Sequence, residues 1–178
     1  MDPRLTPANK IVACSTLKGQ IKHSNFVEGK SYQINVPFVD LLGTPDGKRN
    51  RQLIYGSKVK YFSAAEDWAF IQNTYDSYVG YVPQNTITSE TKKTHIVTAP
   101  LAHVFLEPDI KSKNIEMLPL AARVFGEMVV NGFLETELGW ISVSQLKRKT
   151  ELSKDPLEVS KLLQNAPYLW GGNTTLGI

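Results

Sequence analysis

Between Ile34 and Leu146 the chain never sustains an apolar face long enough to make a helix. Its hydrophobic residues come in short runs cut by turn residues: Lys58-Val59-Lys60-Tyr61-Phe62, Trp68-Ala69-Phe70-Ile71, Tyr78-Val79-Gly80-Tyr81-Val82 and Arg123-Val124-Phe125. Runs of about five residues bounded by turns fit strands, whereas a helix needs apolar positions three and four apart over ten or more residues. This part of the chain therefore reads as all-β.

A weak repeat divides it. Tyr78-Val79-Gly80-Tyr81-Val82 is matched by Glu137-Leu138-Gly139-Trp140-Ile141, and each copy follows a strand pair with a polar turn. In the first copy that turn is read as Asn73-Thr74-Tyr75-Asp76-Ser77. In the second it is read as Val130-Asn131-Gly132, followed by Phe133-Leu134-Glu135-Thr136. The two glycines lie about sixty residues apart, the length of one small barrel. Thr86 to Thr94 is polar and lysine-rich and reads as a connection. The expected order is a lead over 1–33, a first barrel over 34–88, a linker over 89–94, a second barrel over 95–149 and a different segment over 150–178. In that last segment Asp155 can cap a helix, Pro156 suits its first position, Glu158 its third, and Val159, Leu162 and Leu163 share a face before Pro167.

Composition narrows the function classes. With 42% apolar and 21% charged residues, a chain of 178 can bury a core. A net charge of +3 is too mild to argue for nucleic acid. The basic pieces Lys48-Arg49-Asn50-Arg51 and Lys147-Arg148-Lys149 lack interleaved aromatics and read as solvated loops. Cys14 is the single cysteine, so no intramolecular disulfide and no cysteine-based zinc site can form, and neither metal nor cofactor is expected. In IVACSTL it has no neighbouring histidine and no glycine-rich helix start to activate it, which favours an apolar filler in a strand over a nucleophile. The opening MDPRLTPANK lacks the apolar core of a signal peptide, and no stretch approaches eighteen apolar residues. A cytoplasmic protein without membrane contact is expected.

The two closing segments, DSYVGYVPQNTI from Asp76 and ELGWISVSQL from Glu137, resemble the way bacterial SH3-like domains end, with a glycine for a tight turn and an aromatic to plug the barrel. The tail PYLWGGNTTLGI, from Pro167 to Ile178, is similar to the entry of the active site in the NlpC family of cell-wall cysteine peptidases. Pro167, Tyr168, Trp170, Gly171, Gly172 and Gly177 carry that match, and in the family the run continues into Asp-Cys-Ser-Gly, whose Cys opens the catalytic helix. The resemblance covers the chain in order and is greatest to members that cut γ-D-glutamyl-diamino acid bonds in murein tripeptides during wall recycling.

The resemblance implies a mainly β chain: two SH3-like barrels, then the first helix and loop of an incomplete papain-like α+β domain. The chain would end two positions short of its nucleophile and be inactive as given, with self-association possible through the incomplete domain. It further implies that Tyr168 is the tyrosine beside the oxyanion and that Trp170, Gly171 and Gly172 shape the loop, Trp170 as core rather than ligand contact. The first barrel would hold the free amino end of a murein tripeptide or related wall peptide through an acidic residue and a tyrosine, because a buried ammonium needs a carboxylate. Asp76 and Tyr78 fit that role, with Glu66 and Asp67 in reserve. The alternative is a non-catalytic SH3-like module binding wall peptides or a protein partner. A proline-rich-ligand adaptor is disfavoured, since the aromatic and acidic ligand surface of such domains is not evident.

Overall fold

The apolar runs become strands. In the computed structural model, which describes residues 1–178, the chain is mainly β and divides into two units. The first comprises Met1–Leu53 and Ser57–Glu90, the second Ile54–Gly56 and Thr91–Ile178.

In the first unit, seven strands form one sheet: β3 (Lys30–Ile34), β4 (Phe38–Leu42), β5 (Arg49–Ile54), β6 (Lys58–Ala65), β7 (Trp68–Asn73), β8 (Val79–Pro83) and β9 (Ile87–Ser89). Their spatial order is β5-β4-β8-β7-β6-β3-β9. Side chains alternate across a strand, so one face of β7 and β8 sends Ala69, Ile71 and Val82 into a core with Ile34, Leu41, Leu53 and Val59. The other face sends Phe70 and Val79 outward, where Val12 and Phe62 join them and Cys14, Val27 and Tyr81 pack alongside. The lead thus folds over the outer face, through the parallel pair β1 (Ala13–Cys14) and β2 (Phe26–Val27). Continuous apolarity in Trp68-Ala69-Phe70-Ile71 reflects burial on both sides.

The second unit holds β10 (His95–Val97), β11 (Leu101–Phe105), β12 (Asn114–Pro119), β13 (Arg123–Val124), β14 (Gly126–Val130), β15 (Phe133–Thr136), β16 (Gly139–Ser142) and β17 (Leu146–Arg148). They form sheets ordered β12-β11-β16-β15-β14 and β13-β10-β17 around Val97, Val104, Leu118, Val124 and Ile141, all fully buried.

The repeat is present in the ladders. Trp68 faces Pro83, Phe70 faces Tyr81 and Ile71 faces Gly80; in the second unit Phe133 faces Ser142, Glu135 faces Trp140 and Thr136 faces Gly139. A single 3-10 turn follows each copy, Gln84–Thr86 and Val143–Gln145, before the last strand.

Three sequence readings are corrected. The counterpart of the Asn131-Gly132 turn is Glu66-Asp67, not Asn73–Ser77: each is the two-residue link of a hairpin, between Ala65 and Trp68 or between Val130 and Phe133. The longer Asn73–Ser77 turn instead corresponds to Glu137-Leu138, between Thr136 and Gly139. Strand alternation also puts Val82 and Ile141 in the barrel cores, so they are the plugs, while Tyr81 and Trp140 are only half-buried on the opposite face. Finally, β9 takes Ile87–Ser89 out of the polar stretch beginning at Thr86, because Ile87 packs in the first core and pairs with Ile34.

Candidate functional site

Asp76 sits in the turn after β7. Its Oδ2 accepts from Arg51 Nε at 2.8 Å, and its Oδ1 accepts from Asn73 Nδ2 at 2.7 Å and from the Tyr78 N–H at 3.2 Å. Asparagine and aspartate favour such turns because a side-chain oxygen can replace a backbone acceptor two residues on. The carboxylate is thus engaged by one cation and two neutral donors. Tyr78 packs its ring against the first core and lies within electrostatic reach of Arg4.

Glu66 and Asp67 occupy the two-residue turn before β7, both exposed, with Glu66 in the left-handed region at φ 53°. The Asp67 carbonyl accepts from the Gln84 N–H at 2.7 Å. The structure therefore brings Asp76 and Tyr78 together and puts Glu66 and Asp67 at the far end of β7. Six strand residues make that separation about 20 Å. The two pairs cannot grip one ammonium.

In the tail, α1 (Pro156–Lys161) is capped as its sequence requires, with Asp155 Oδ1 accepting from the Leu157 N–H at 2.8 Å. It buries none of its residues, and six residues are too few for a helix to stand on propensity alone. Pro167–Ile178 closes into a loop through Leu169 N–H to Ile178 O at 2.8 Å and Ile178 N–H to Pro167 O at 3.1 Å. Gly171 takes φ 71°, and a Cβ at Gly172 would lie 2.4 Å from the Gly177 carbonyl oxygen, so both glycines are required by the backbone. Tyr168 is 80% exposed. Trp170, expected in a core, is 63% exposed, because the short helix and loop offer no layer to cover an indole.

No thiol–imidazole pair exists in these residues. Cys14 Sγ accepts from Thr16 Oγ1 at 3.1 Å, while the rings of His23, His95 and His103 bond to Asn9 and Asn25, to Thr94, and to Asn114.

Two groups of residues went unnoticed in the sequence. In the second unit Tyr55, 5% exposed, donates its hydroxyl to Glu137 Oε1 at 3.1 Å; the same carboxylate pairs with Lys93 and accepts from the Phe125 N–H at 2.7 Å. The Lys93 ammonium also stands 4.9 Å from the Tyr55 ring centre. Burial first, then the Glu137 charge and its hydrogen bond, push the Tyr55 phenol far above its ordinary range, so it stays protonated and donating. In the first unit a cleft of about 720 Å³ opens between the lead, the loop after β4 and the outer face of β7 and β8.

A smaller depression of about 160 Å³ in the second unit is bordered by His95, Arg148 and Glu151. Burial and then the Arg148 charge hold the His95 imidazole below its usual range, with Glu151 opposing them. A depressed folded-state value means that the unfolded chain binds the proton more readily. The stability contribution is full above about pH 6.5 and is lost as pH falls through the lower folded-state value. Thermal unfolding from pH 7.5 down to 5 is accordingly expected to lower the midpoint less in His95→Gln than in the native protein; equal slopes would contradict this.

Residues 41–87 match the family model described as the bacterial dipeptidyl-peptidase Sh3 domain. No curated protein sequence matches the chain. Among solved structures it is similar to an NlpC/P60 family protein from Bacillus cereus ATCC 10987, at 15% identity and a TM-score of 0.64, over 83% of this chain and 68% of that one. NlpC1 from Trichomonas vaginalis matches at 12% identity and a TM-score of 0.32 over 75% of this chain and 51% of that one. NlpC2 from the same organism matches at 13% and 0.32 over 80% and 57%. Residues 41–87 are thus similar to that bacterial SH3 domain, and the chain shares the fold of the Bacillus NlpC/P60 family protein.

Proposed function

We propose that this chain is the SH3-bearing part of an NlpC-type cell-wall cysteine peptidase and that its first unit helps hold the wall peptide. The single observation that carries the reading is the dipeptidyl-peptidase SH3 match over 41–87, the stretch that contains every first-unit candidate. The PYLWGG motif in the tail points the same way. Without a thiol–imidazole pair, the function assigned to these residues themselves is binding rather than hydrolysis.

The finer reading is a murein tripeptide cleaved at its γ-D-glutamyl-diamino acid bond, in cytoplasmic wall recycling; it rests on resemblance to the recycling members. Asp76 already takes Arg51 and two further donors, so an incoming ammonium would share the carboxylate with Arg51 or displace it. Tyr78 stands beside it for the peptide's amino end. A Tyr168 role at the oxyanion is part of the same proposal, consistent with its exposure.

The test is titration of ¹⁵N-labelled protein with L-Ala-γ-D-Glu-meso-diaminopimelate. Saturable shifts at Asn73 and Tyr78, absent in Asp76→Asn and without product by mass spectrometry, are expected. Shifts confined to the second unit, or none at millimolar peptide, would overturn the reading. Equivalent binding by a protein segment lacking γ-linked D-Glu would favour the partner-binding alternative.

A further inference from the structure

The cleft of the first unit shares no residue with the Asp76, Tyr78, Glu66 and Asp67 set. Its floor is aromatic and aliphatic: Phe70 and Tyr81, with ring centres 5.1 Å apart, and Val79. The lead forms one wall and carries Arg4 and Lys10; the loop between β4 and β5 forms the other and carries Thr44, Lys48 and Asn50. No aspartate or glutamate lines it.

Both walls are held in place. The Arg4 carbonyl accepts from the Val79 N–H at 2.7 Å, and Asn9 Nδ2 donates to the Tyr81 hydroxyl at 3.1 Å, which ties the lead to β8. Across the cleft the Gly43 N–H donates to Lys48 O at 3.0 Å and the Gly47 N–H to Thr44 O at 2.9 Å, closing the loop. A Cβ at Gly47 would fall 2.2 Å from Thr44 Oγ1, so the turn needs that glycine.

Charge is unbalanced there. Arg4 is neutralised by Asp2, with Nη2 to Oδ2 at 2.8 Å, but neither Lys10 nor Lys48 has a carboxylate partner. The Thr44 hydroxyl and the Asn50 amide likewise make no hydrogen bond within the protein. Two unpaired ammoniums, an open amide and an open hydroxyl above an apolar floor suit a ligand with both carboxylates and an apolar side chain. Phosphate is a poorer fit: the Gly43 and Gly47 N–H groups are already consumed, and the single arginine is paired. A volume of about 720 Å³ lies in the range of ligand clefts.

We propose that this cleft binds an acidic peptide segment, its carboxylates between Lys10 and Lys48 and an apolar side chain against Tyr81 and the exposed Ile11. The site is fixed before binding, which limits the ordering cost of a short ligand. Contacts through exposed lysines make it weak and salt-sensitive.

The probes are acetyl-Phe-Asp-Glu, its neutral counterpart acetyl-Phe-Asn-Gln-amide, and inorganic phosphate, each titrated into ¹⁵N-labelled full chain. Saturable shifts at Thr44, Asn50 and Tyr81 are expected with the acidic peptide, and binding about tenfold weaker with the neutral one. Lys10→Glu combined with Lys48→Glu is expected to weaken the acidic peptide by at least about tenfold, with an unchanged melting temperature, since both side chains are exposed and unpaired. Lys10→Gln with Lys48→Gln gives the same direction should the charge reversal disturb folding. Affinities within twofold for acidic and neutral peptides, shifts outside the cleft, or equally tight phosphate binding would overturn the proposal. Failure of the murein tripeptide to bind leaves it standing, because the probes contain no γ-linked D-Glu.

Discussion

Tyr55→Ala is expected to destabilise the second unit by about 3–5 kcal/mol, the range for deleting a buried aromatic from a packed core. The ring belongs to the cluster of Val97, Ala102, Val104, Leu118, Val124 and Ile141, so its loss opens a cavity in that core. It also removes the face beneath the Lys93 ammonium, whose side chain is only 7% exposed. Tyr55→Phe separates the two contributions. It keeps the ring but deletes the hydroxyl, and Glu137 retains Lys93 and the Phe125 N–H, so no acceptor is orphaned; the cost is about 1 kcal/mol. Hydrogen exchange monitored on peptides from β10, β11 and β16 reads the effect locally. In the alanine variant their protection should fall by about two to three and a half orders of magnitude, roughly a decade per 1.4 kcal/mol, and in the phenylalanine variant by less than one. Unchanged protection in the alanine variant would show that Tyr55 is no part of that core.

Why Tyr55 escaped the sequence reading while the barrels did not is a matter of range. Strand alternation is local, and Trp68-Ala69-Phe70-Ile71 or Phe133-Leu134-Glu135-Thr136 declares itself within a few residues. The glycine repeat is local as well, and the ladders pair its two copies in the same register. Tyr55 meets Glu137 across 82 residues, and no periodicity links them. The cleft is hidden for the same reason: Lys10 and Lys48 belong to different walls and become neighbours only because the lead folds over β7 and β8. One clue was available. The unbroken apolar run at Trp68–Ile71 signals cover on both faces of β7, and the cover had to come from outside the barrel. The misassigned turns have another origin, since polar residues mark where a chain reverses but not which hairpin it closes. Asp76 was legible as a turn residue, whereas its ion pair with Arg51, on β5, was not.

The same sequence signal, a glycine, stands for different physics at three positions, and alanine distinguishes them. At Gly132 the backbone has φ 79° with nothing within 4 Å of an added Cβ, so Gly132→Ala meets only the left-handed penalty, about 1 kcal/mol. At Gly80 no positive φ is involved, but the Cβ would fall 2.3 Å from the Leu42 carbonyl oxygen on neighbouring β4. A backbone atom in a paired strand cannot step aside cheaply, so Gly80→Ala should cost about 1–3 kcal/mol, although alanine ordinarily suits a strand better than glycine. Gly139 combines both constraints: φ 132°, a conformation side chains avoid, and a Cβ 2.6 Å from the Phe105 oxygen on β11. Gly139→Ala is expected to cost about 2–4 kcal/mol, the largest of the three. Urea denaturation of the three single variants should rank them Gly139, Gly80, Gly132. Were Gly132→Ala as costly as Gly80→Ala, backbone freedom rather than strand proximity would explain the repeat. The expected order instead means that each barrel keeps its glycine because a neighbouring strand's carbonyl fills the place of a side chain. That spacing requirement would recur wherever this hairpin packs against the strand of the preceding loop, and it accounts for a repeat that conserves the glycine while the residue beside it changes from Tyr81 to Trp140.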